Sequence, residues 1–210
     1  MEKVARLSRS ERAAANRAAL LEAAEAVFLQ HGYHGTTVDA IALEAGFTIG
    51  ALYSRFGGKA DVYLALLEQR IETRAAQFSG VEPIERWEEI PFEFARRWCD
   101  IMRAERDWTL LSIEFRVHAA RDAELNTRYA ALHERAVEAL TDNVASALAR
   151  DLDVSRSSVR RLCQVALAVS TGVALARSVE GDAFSDDLYL ELSRALGGQF
   201  LEGGHDATRR

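Results

Sequence analysis

Glycine, rather than proline, punctuates this chain. Only two of its 210 residues are proline, and long stretches repeat apolar side chains at steps of three and four, the spacing of one helix face. The pattern breaks at Gly32, Gly46, Gly57-Gly58 and Gly181. Ala, Leu, Glu and Arg, all good helix formers, are abundant between those breaks. No stretch shows the strict alternation of a half-buried strand. The predicted fold class is therefore all-α.

The first third holds short, closely spaced segments. "RAALLEAAEAVFLQHG" (17–32) puts Leu20, Leu21, Ala24, Val27 and Phe28 on one face and ends at Gly32, a C′ glycine by position. "GTTVDAIALEAG" (35–46) has Thr37 as its N-cap, Val38, Ile41 and Ala42 as its apolar face, and Gly46 as its close. A third stub, Thr48 to Phe56, runs into Gly57-Gly58. Three helices thus fill residues 9–56, the last two joined by a tight glycine turn, which is the helix-turn-helix layout. "KADVYLALLEQRIETRAAQF" (59–78) leads away as a fourth helix with Val62, Leu66, Leu67 and Ile71 inward.

The third stub, "AGFTIGALYSRF" (45–56), is almost bare at its front end. A recognition helix enters the major groove by its N-terminus, and that groove is only about 12 Å wide. Small leading residues let the backbone approach base edges and phosphates. Gly50 costs a helix roughly 1 kcal/mol against alanine, so its presence requires a reason, and close approach supplies one. Thr48 caps the stub, with Ile49, Gly50 and Ala51 at its leading end. Tyr53, Ser54 and Arg55 follow one turn on as hydrogen-bond donors. Leu52 and Phe56, four apart, face inward. Thr36 and Thr37 stand at the front of the preceding helix, and Lys59 opens the fourth helix where it can reach a phosphate. The same layout also occurs in helical proteins that bind only other proteins, and an interaction adaptor is the competing reading.

The rest of the chain is helical in longer pieces. Helices are predicted over 91–104, with Pro91 in the first turn, over 106–121, 122–152 and 155–181, and over 185–198. Leu125, Tyr129, Leu132, Ala136, Leu140, Val144 and Ala147 stripe the long 122–152 segment. The 155–181 segment is apolar nearly all round, as a helix walled in on all sides is. In it Ala166, Ser170 and Ala174 form a small-residue track beside Leu162, Val169 and Val173. Trp98, Met102, Trp108, Phe115, His118 and Tyr129 are candidates to line a pocket among the middle helices. Their spacing equally suits plain core. A small molecule taken there would be mostly apolar, and aromatic in part.

Charge and motif content narrow the function. The net charge is −6, yet residues 1–60 carry seven Lys/Arg against six Asp/Glu while the remainder carries 19 against 26. An acidic protein with a relatively basic front suits a local nucleic-acid contact. No phosphate-binding loop is present: Gly58-Lys59 is followed by Ala60, and the residue five before Gly58 is Tyr53. His133-Glu134 is followed by Val137 where a zinc-peptidase helix needs histidine, and Glu114 and His118 stand four apart where a di-iron bundle needs three. Cys99 and Cys163 lack close cysteine partners, so neither a zinc site nor a disulfide framework is expected. No catalytic set, metal site or cofactor motif emerges, and a reduced, cytoplasmic, non-membrane protein is expected.

The segment "TTVDAIALEAGFTIGALYSRFGGKADV" (36–62) resembles the DNA-binding segment of TetR-family transcriptional regulators. The agreement falls on Thr36-Thr37, Ile41-Ala42, Ala45-Gly46, Thr48, Gly50, Leu52-Tyr53, Phe56 and Lys59. Phe47, Arg55 and Gly57-Gly58 depart from the family pattern. "EFRVHAARDAELNTRYAALHERA" (114–136) is similar to the middle of one large subgroup. The resemblance implies a flexible arm (1–8), a helix-turn-helix domain (9–58), an effector-binding and dimerisation domain (59–202) and a flexible tail (203–210). It implies a homodimer that binds a palindrome in double-stranded DNA, most simply as a repressor released by a small effector. The last two helices would pair with their twofold mates through Leu162, Ala166, Val169, Ser170, Val173, Ala174, Leu188 and Leu192.

Overall fold

The computed structural model describes residues 8–78, 90–148, 154–181 and 184–202. Among them lie nine helices: α1 Arg9–Gly35, α2 Val38–Glu44, α3 Ile49–Tyr53, α4 Lys59–Phe78, α5 Ile90–Ala104, α6 Arg106–Ala119, α7 Ala123–Ala147, α8 Arg156–Glu180 and α9 Asp186–Glu202. The described residues contain no strand. The expected arm up to residue 7, the tail from 203 and the end of the 122–152 helix beyond 148 lie outside the described residues.

Local chemistry fixes most helix ends. Ser8, assigned to the arm, instead caps α1: its hydroxyl accepts the Glu11 N–H, while its own N–H donates to the Glu11 carboxylate, a reciprocal capping box. Gly32 adopts φ 68°, and the chain kinks there before a last turn to Gly35. Thr37, Thr48, Asp122 and Ser155 cap α2, α3, α7 and α8 with side-chain oxygens that accept backbone N–H groups. Gly57-Gly58 forms a pinned link to α4, because the Gly57 N–H donates to the Asp61 carboxylate at 2.6 Å.

The core falls into three clusters. The largest joins α1 to α4 with α6 and the start of α7, around Phe28, Tyr33, Tyr63 and Phe115. Tyr63 and Phe115 stack with centroids 3.9 Å apart, and Tyr33 meets Phe115 edge-on at 4.9 Å. Burying such rings supplies both apolar area and favourable ring geometry. The expected domain boundary at residue 58 therefore coincides with no break in packing: Val62, Tyr63 and Leu66 of α4 belong to the same core as α1. A second cluster (Phe78, Ile90, Phe94, Val144, Leu162, Cys163 and neighbours) ties the end of α4 to α5, α7 and α8. The third (Ala95, Cys99, Met102, Val173, Tyr189) ties α5 to α8 and α9. Cys99 and Cys163 thus sit in different clusters as buried free thiols. Burial pushes the Cys163 thiol up to about 11 and raises Cys99 as well, so neither is a ready thiolate nucleophile.

Candidate nucleic-acid interface and inner cavity

The helix-turn-helix is built around a buried base and an exposed front. After α2, Gly46 takes φ 69°. The Gly46 N–H returns to the Leu43 carbonyl at 3.1 Å and the Phe47 N–H to the Ala42 carbonyl at 2.9 Å, which closes the helix and aims α3 away from it. Leu52 is 0% exposed and Phe56 6%, and the Arg17 guanidinium lies 5.0 Å over the Phe56 ring. Those two side chains seat α3. Its opposite face, with Thr48, Ile49, Gly50, Tyr53, Ser54 and Arg55, is exposed, and Tyr53 remains 53% exposed.

Nothing inside the chain explains Gly50. A Cβ there would meet nothing within 4 Å, so neither packing nor backbone angle requires glycine. What remains is room for something to approach α3. The Thr48 hydroxyl accepts the Ala51 N–H at 3.1 Å. Ser54 and Arg55 both donate to the Ala51 carbonyl, at 2.8 and 2.9 Å, and so close the C-terminal end of the stub.

Two residues expected at the interface hold the fold instead. Thr36 is only 2% exposed, and its hydroxyl donates to the Gly32 carbonyl at 2.7 Å and the Val27 carbonyl at 3.3 Å. Its side chain is unavailable to a duplex, whereas Thr37 is exposed. Lys59 turns inward: its ammonium donates to the carbonyls of Tyr33 (2.7 Å), Thr36 (2.8 Å) and His34 (3.5 Å), and stands 4.5 Å over the Tyr33 ring. The ammonium is thus spent mainly on the Tyr33 and Thr36 carbonyls, with the His34 carbonyl at the edge of hydrogen-bond distance. Burial lowers the Lys59 pKa accordingly.

A cavity of about 200 Å³ opens among α4, α5, α6, α7 and α8. Trp98, Met102, Trp108 and Tyr129 line it. Phe115 does not, being 0% exposed in the first core cluster. His118 does not either; it packs against Tyr33 and His34 where α6 meets α1. The lining is also less apolar than expected, because Arg70, Arg74 and Arg116 belong to it with Thr109, Ser112, Asn143 and Thr171. Sequence reasoning passed over these arginines. The available signal was their register: Arg70 and Arg74 share the inward stripe of Leu67, Ile71 and Phe78. A smaller compartment of about 60 Å³ lies beyond, between α5, α7, α8 and α9.

The small-residue track faces this interior. Ala166 and Ser170 line the smaller compartment, and Ser170 and Ala174 the larger. Ser170, Leu162 and Val173 are buried within the chain, so they are not free for a partner; Val169 is partly buried against the third core cluster. The exposed apolar stripe of α8 is instead Ala168, Gly172, Leu175 and Val179, with Val179 81% exposed. Leu188 and Leu192 on α9 are exposed as well.

A seated, bare-fronted α3 behind a glycine turn, joined to a hollow helical body, defines a helix-turn-helix DNA-binding regulator. Known proteins agree. The profile of the family described as bacterial regulatory proteins, tetR family, matches residues 20–66. The HTH-type transcriptional activator FasR of Mycolicibacterium smegmatis is 30% identical over 170 residues, which cover 80% of this chain and 73% of that protein. The HTH-type transcriptional repressor BepR of Brucella suis is 37% identical over 78 residues, 34% of this chain and 37% of that protein. Among solved structures, the transcriptional regulator FadR from Bacillus subtilis in complex with stearoyl-CoA has the same fold, with a TM-score of 0.57 at 16% identity over 89% of this chain and 98% of that one. The chain belongs to the TetR family: it is a DNA-binding transcriptional regulator, not an enzyme.

Proposed function

We propose that this regulator acts as a homodimer on a palindromic operator, that it represses, and that a small molecule in the inner cavity lowers its affinity for DNA. The observation that carries the DNA contact is the open space at Gly50 on an otherwise exposed α3 front. In this reading Thr48, Ile49, Gly50, Ala51 and Tyr53 meet the major groove, while Thr37 and Arg55 flank it on phosphates, joined by Ser54 once its hydroxyl leaves the Ala51 carbonyl. The helix end with its free N–H groups favours phosphate there. Two copies related by a twofold axis would present α3 at successive major-groove faces, roughly 34–36 Å apart or a multiple of that.

The dimer reading rests on α8 and α9. Among the described residues α8 is the one helix whose length and composition would also suit a bilayer. One side of it faces the cavities, and the other exposes Leu175 and Val179, while the neighbouring α9 exposes Leu188 and Leu192. An exposed apolar patch of this kind marks an interface. A second copy covers it most simply, since a closed symmetric pair buries the same patch on both subunits.

The ligand reading rests on α6 and Arg70. Trp108, Ser112 and Arg116 of α6 line the cavity, while Phe115 and Ala119 of the same helix join the core of the DNA-binding domain. Arg70 lines the cavity and pairs with Glu25 of α1. A ligand that binds one arrangement of α6 and α4 better than another shifts the spacing of the two α3 helices by that difference in affinity. Fragments selected from the source genome by the full chain give the operator, and a reporter behind it gives the sign. Reporter output that rises when the regulator is deleted supports repression; output that falls supports activation, the activity for which FasR is named. Loss of selection in Tyr53→Ala, with the helical spectrum kept, supports the α3 contact; retained selection overturns it.

A further inference from the structure

We infer that the inner cavity takes an anionic amphiphile, a carboxylate joined to an apolar body, with the carboxylate on Arg74, in a compartment that Arg116 also lines, and the body directed past Trp98 into the smaller compartment. The inference rests on the ligand-responsive reading above and names the chemistry of that ligand.

Three guanidinium groups line the larger compartment and no carboxylate does. Arg70 is matched, since it pairs with Glu25 and Glu105 from outside the lining. Arg74 is matched in part: Nη2 donates to Glu105 at 2.7 Å, whereas Nη1 is buried without an acceptor among the described residues. Arg116 has a single hydrogen bond, to the Thr171 hydroxyl at 3.5 Å, and no ion pair among the described residues. Burial draws the Arg74 pKa down; Glu105 offsets part of this and Arg70 adds to it. A guanidinium with a buried, unused donor is costly unless an anion meets it, and Glu25 and Glu105 serve Arg70 and Arg74 but leave Arg116 without a carboxylate among the described residues. One negative charge completes the set. A guanidinium edge matches a carboxylate, two parallel N–H groups meeting two oxygens.

The aromatic rings hold the heads in place. Arg70 lies 4.3 Å over Trp108 and Arg74 lies 5.1 Å over Trp98. Stacked by their faces, the guanidiniums keep their edges for an acceptor. Phe78, Trp98, Leu140, Leu167 and Ser170 line both compartments. These side chains, Trp98 among them, therefore form the wall between the two compartments. Beyond it the smaller compartment is walled almost wholly by apolar groups, among them Phe94, Val144 and Leu162. Cationic groups at one end and hydrocarbon at the other select a molecule with the complementary division.

Three probes of equal chain length test this: decanoate, decanol and decyltrimethylammonium, each below its aggregation concentration. Binding is read from tryptophan fluorescence and thermal shift of the full chain. The expected order is decanoate tighter than decanol by at least about tenfold, the scale of a charge-assisted hydrogen bond, with no saturable binding of the cation. In Arg74→Met and, separately, Arg116→Met, decanol binding persists and the preference for decanoate falls towards unity. Retained decanol binding shows that the cavity has survived the substitution. Equal binding of acid and alcohol by the unaltered chain overturns the inference, as does failure of all three probes to bind or a preference that survives both substitutions. Operator release is measured separately: decanoate that binds without releasing DNA supports the ligand chemistry and sinks the release step.

Discussion

Glu114 of α6 accepts the backbone N–H of Tyr33 at 2.8 Å, directly after the kink at Gly32. The same carboxylate lies where a side chain at Gly32 would begin, 2.9 Å from a Cβ placed there. The helix-turn-helix is thus latched to α6, a wall of the inner cavity, at a point where the chain takes a positive φ. Replacing Gly32 with alanine must strain the backbone, by about 1–2 kcal/mol, and must displace Glu114 as well. Glu114→Ala should lower unfolding free energy by roughly 1–2 kcal/mol through the unpaired Tyr33 amide, read by urea denaturation. Unchanged denaturation midpoints for both variants would show that the latch bears no load.

Gly50→Ala separates folding from function. Nothing in the chain meets the added methyl, and alanine favours helix by up to about 1 kcal/mol over glycine. The variant should melt at the same or a higher temperature while binding its operator at least tenfold more weakly, on the order of one lost close contact. Full operator affinity in the variant would remove the argument for close approach at α3.

Lys59 gives the opposite pattern. With three carbonyl partners inside the fold, Lys59→Met should destabilise the protein by about 2–3 kcal/mol, the scale of hydrogen bonds to a charged group. At a temperature where the variant is folded, the salt dependence of operator binding should match that of the unaltered chain. A phosphate anchor would instead reduce the logarithmic salt slope by about one.

The proposed dimer places the exposed stripe of α8 at its seam. Leu175→Glu with Val179→Glu should yield a monomer by light scattering, with the helical spectrum intact and affinity for the full palindrome lost. Ser170→Ala, on the cavity side of the same helix, should remain a dimer. A double glutamate variant that still pairs would move the interface to another face.

His133 adds a dependence on pH. It packs parallel to Tyr129 with centroids 6.4 Å apart, and burial, helped by the Arg116 charge, lowers its pKa below 6.5. The unfolded chain therefore takes up the proton first. Stability present above pH 6.5 is lost as pH falls through 6.5 towards the lower folded value. His133→Gln should flatten the part of the pH–stability curve just below 6.5 that the histidine causes. Superimposable curves would assign that loss to other groups.

The linear sequence by itself determined the helices and the DNA-binding unit, since periodicity, caps and glycine turns are local. Val38, Ile41, Leu52 and Phe56 mark their faces through spacing alone, and Gly46 marks the turn because its backbone angle excludes most residues. The recognition stub was legible for the same reason, its bare front being a run of consecutive residues. Long-range partners decided what spacing could not. Thr36 and Lys59 read as interface residues until Val27, Gly32, Tyr33 and His34, brought close by the kink in α1, took their hydrogen bonds. The small-residue track of α8 fits a dimer seam and a cavity wall equally well in one dimension, and only the placement of α4, α5 and α7 turns it inward. Arg70, Arg74 and Arg116 look like ordinary surface charges until three helices enclose them. A helix face is written in steps of three and four, but which object meets that face depends on how the helices cross, and their crossing is fixed by packing among distant residues.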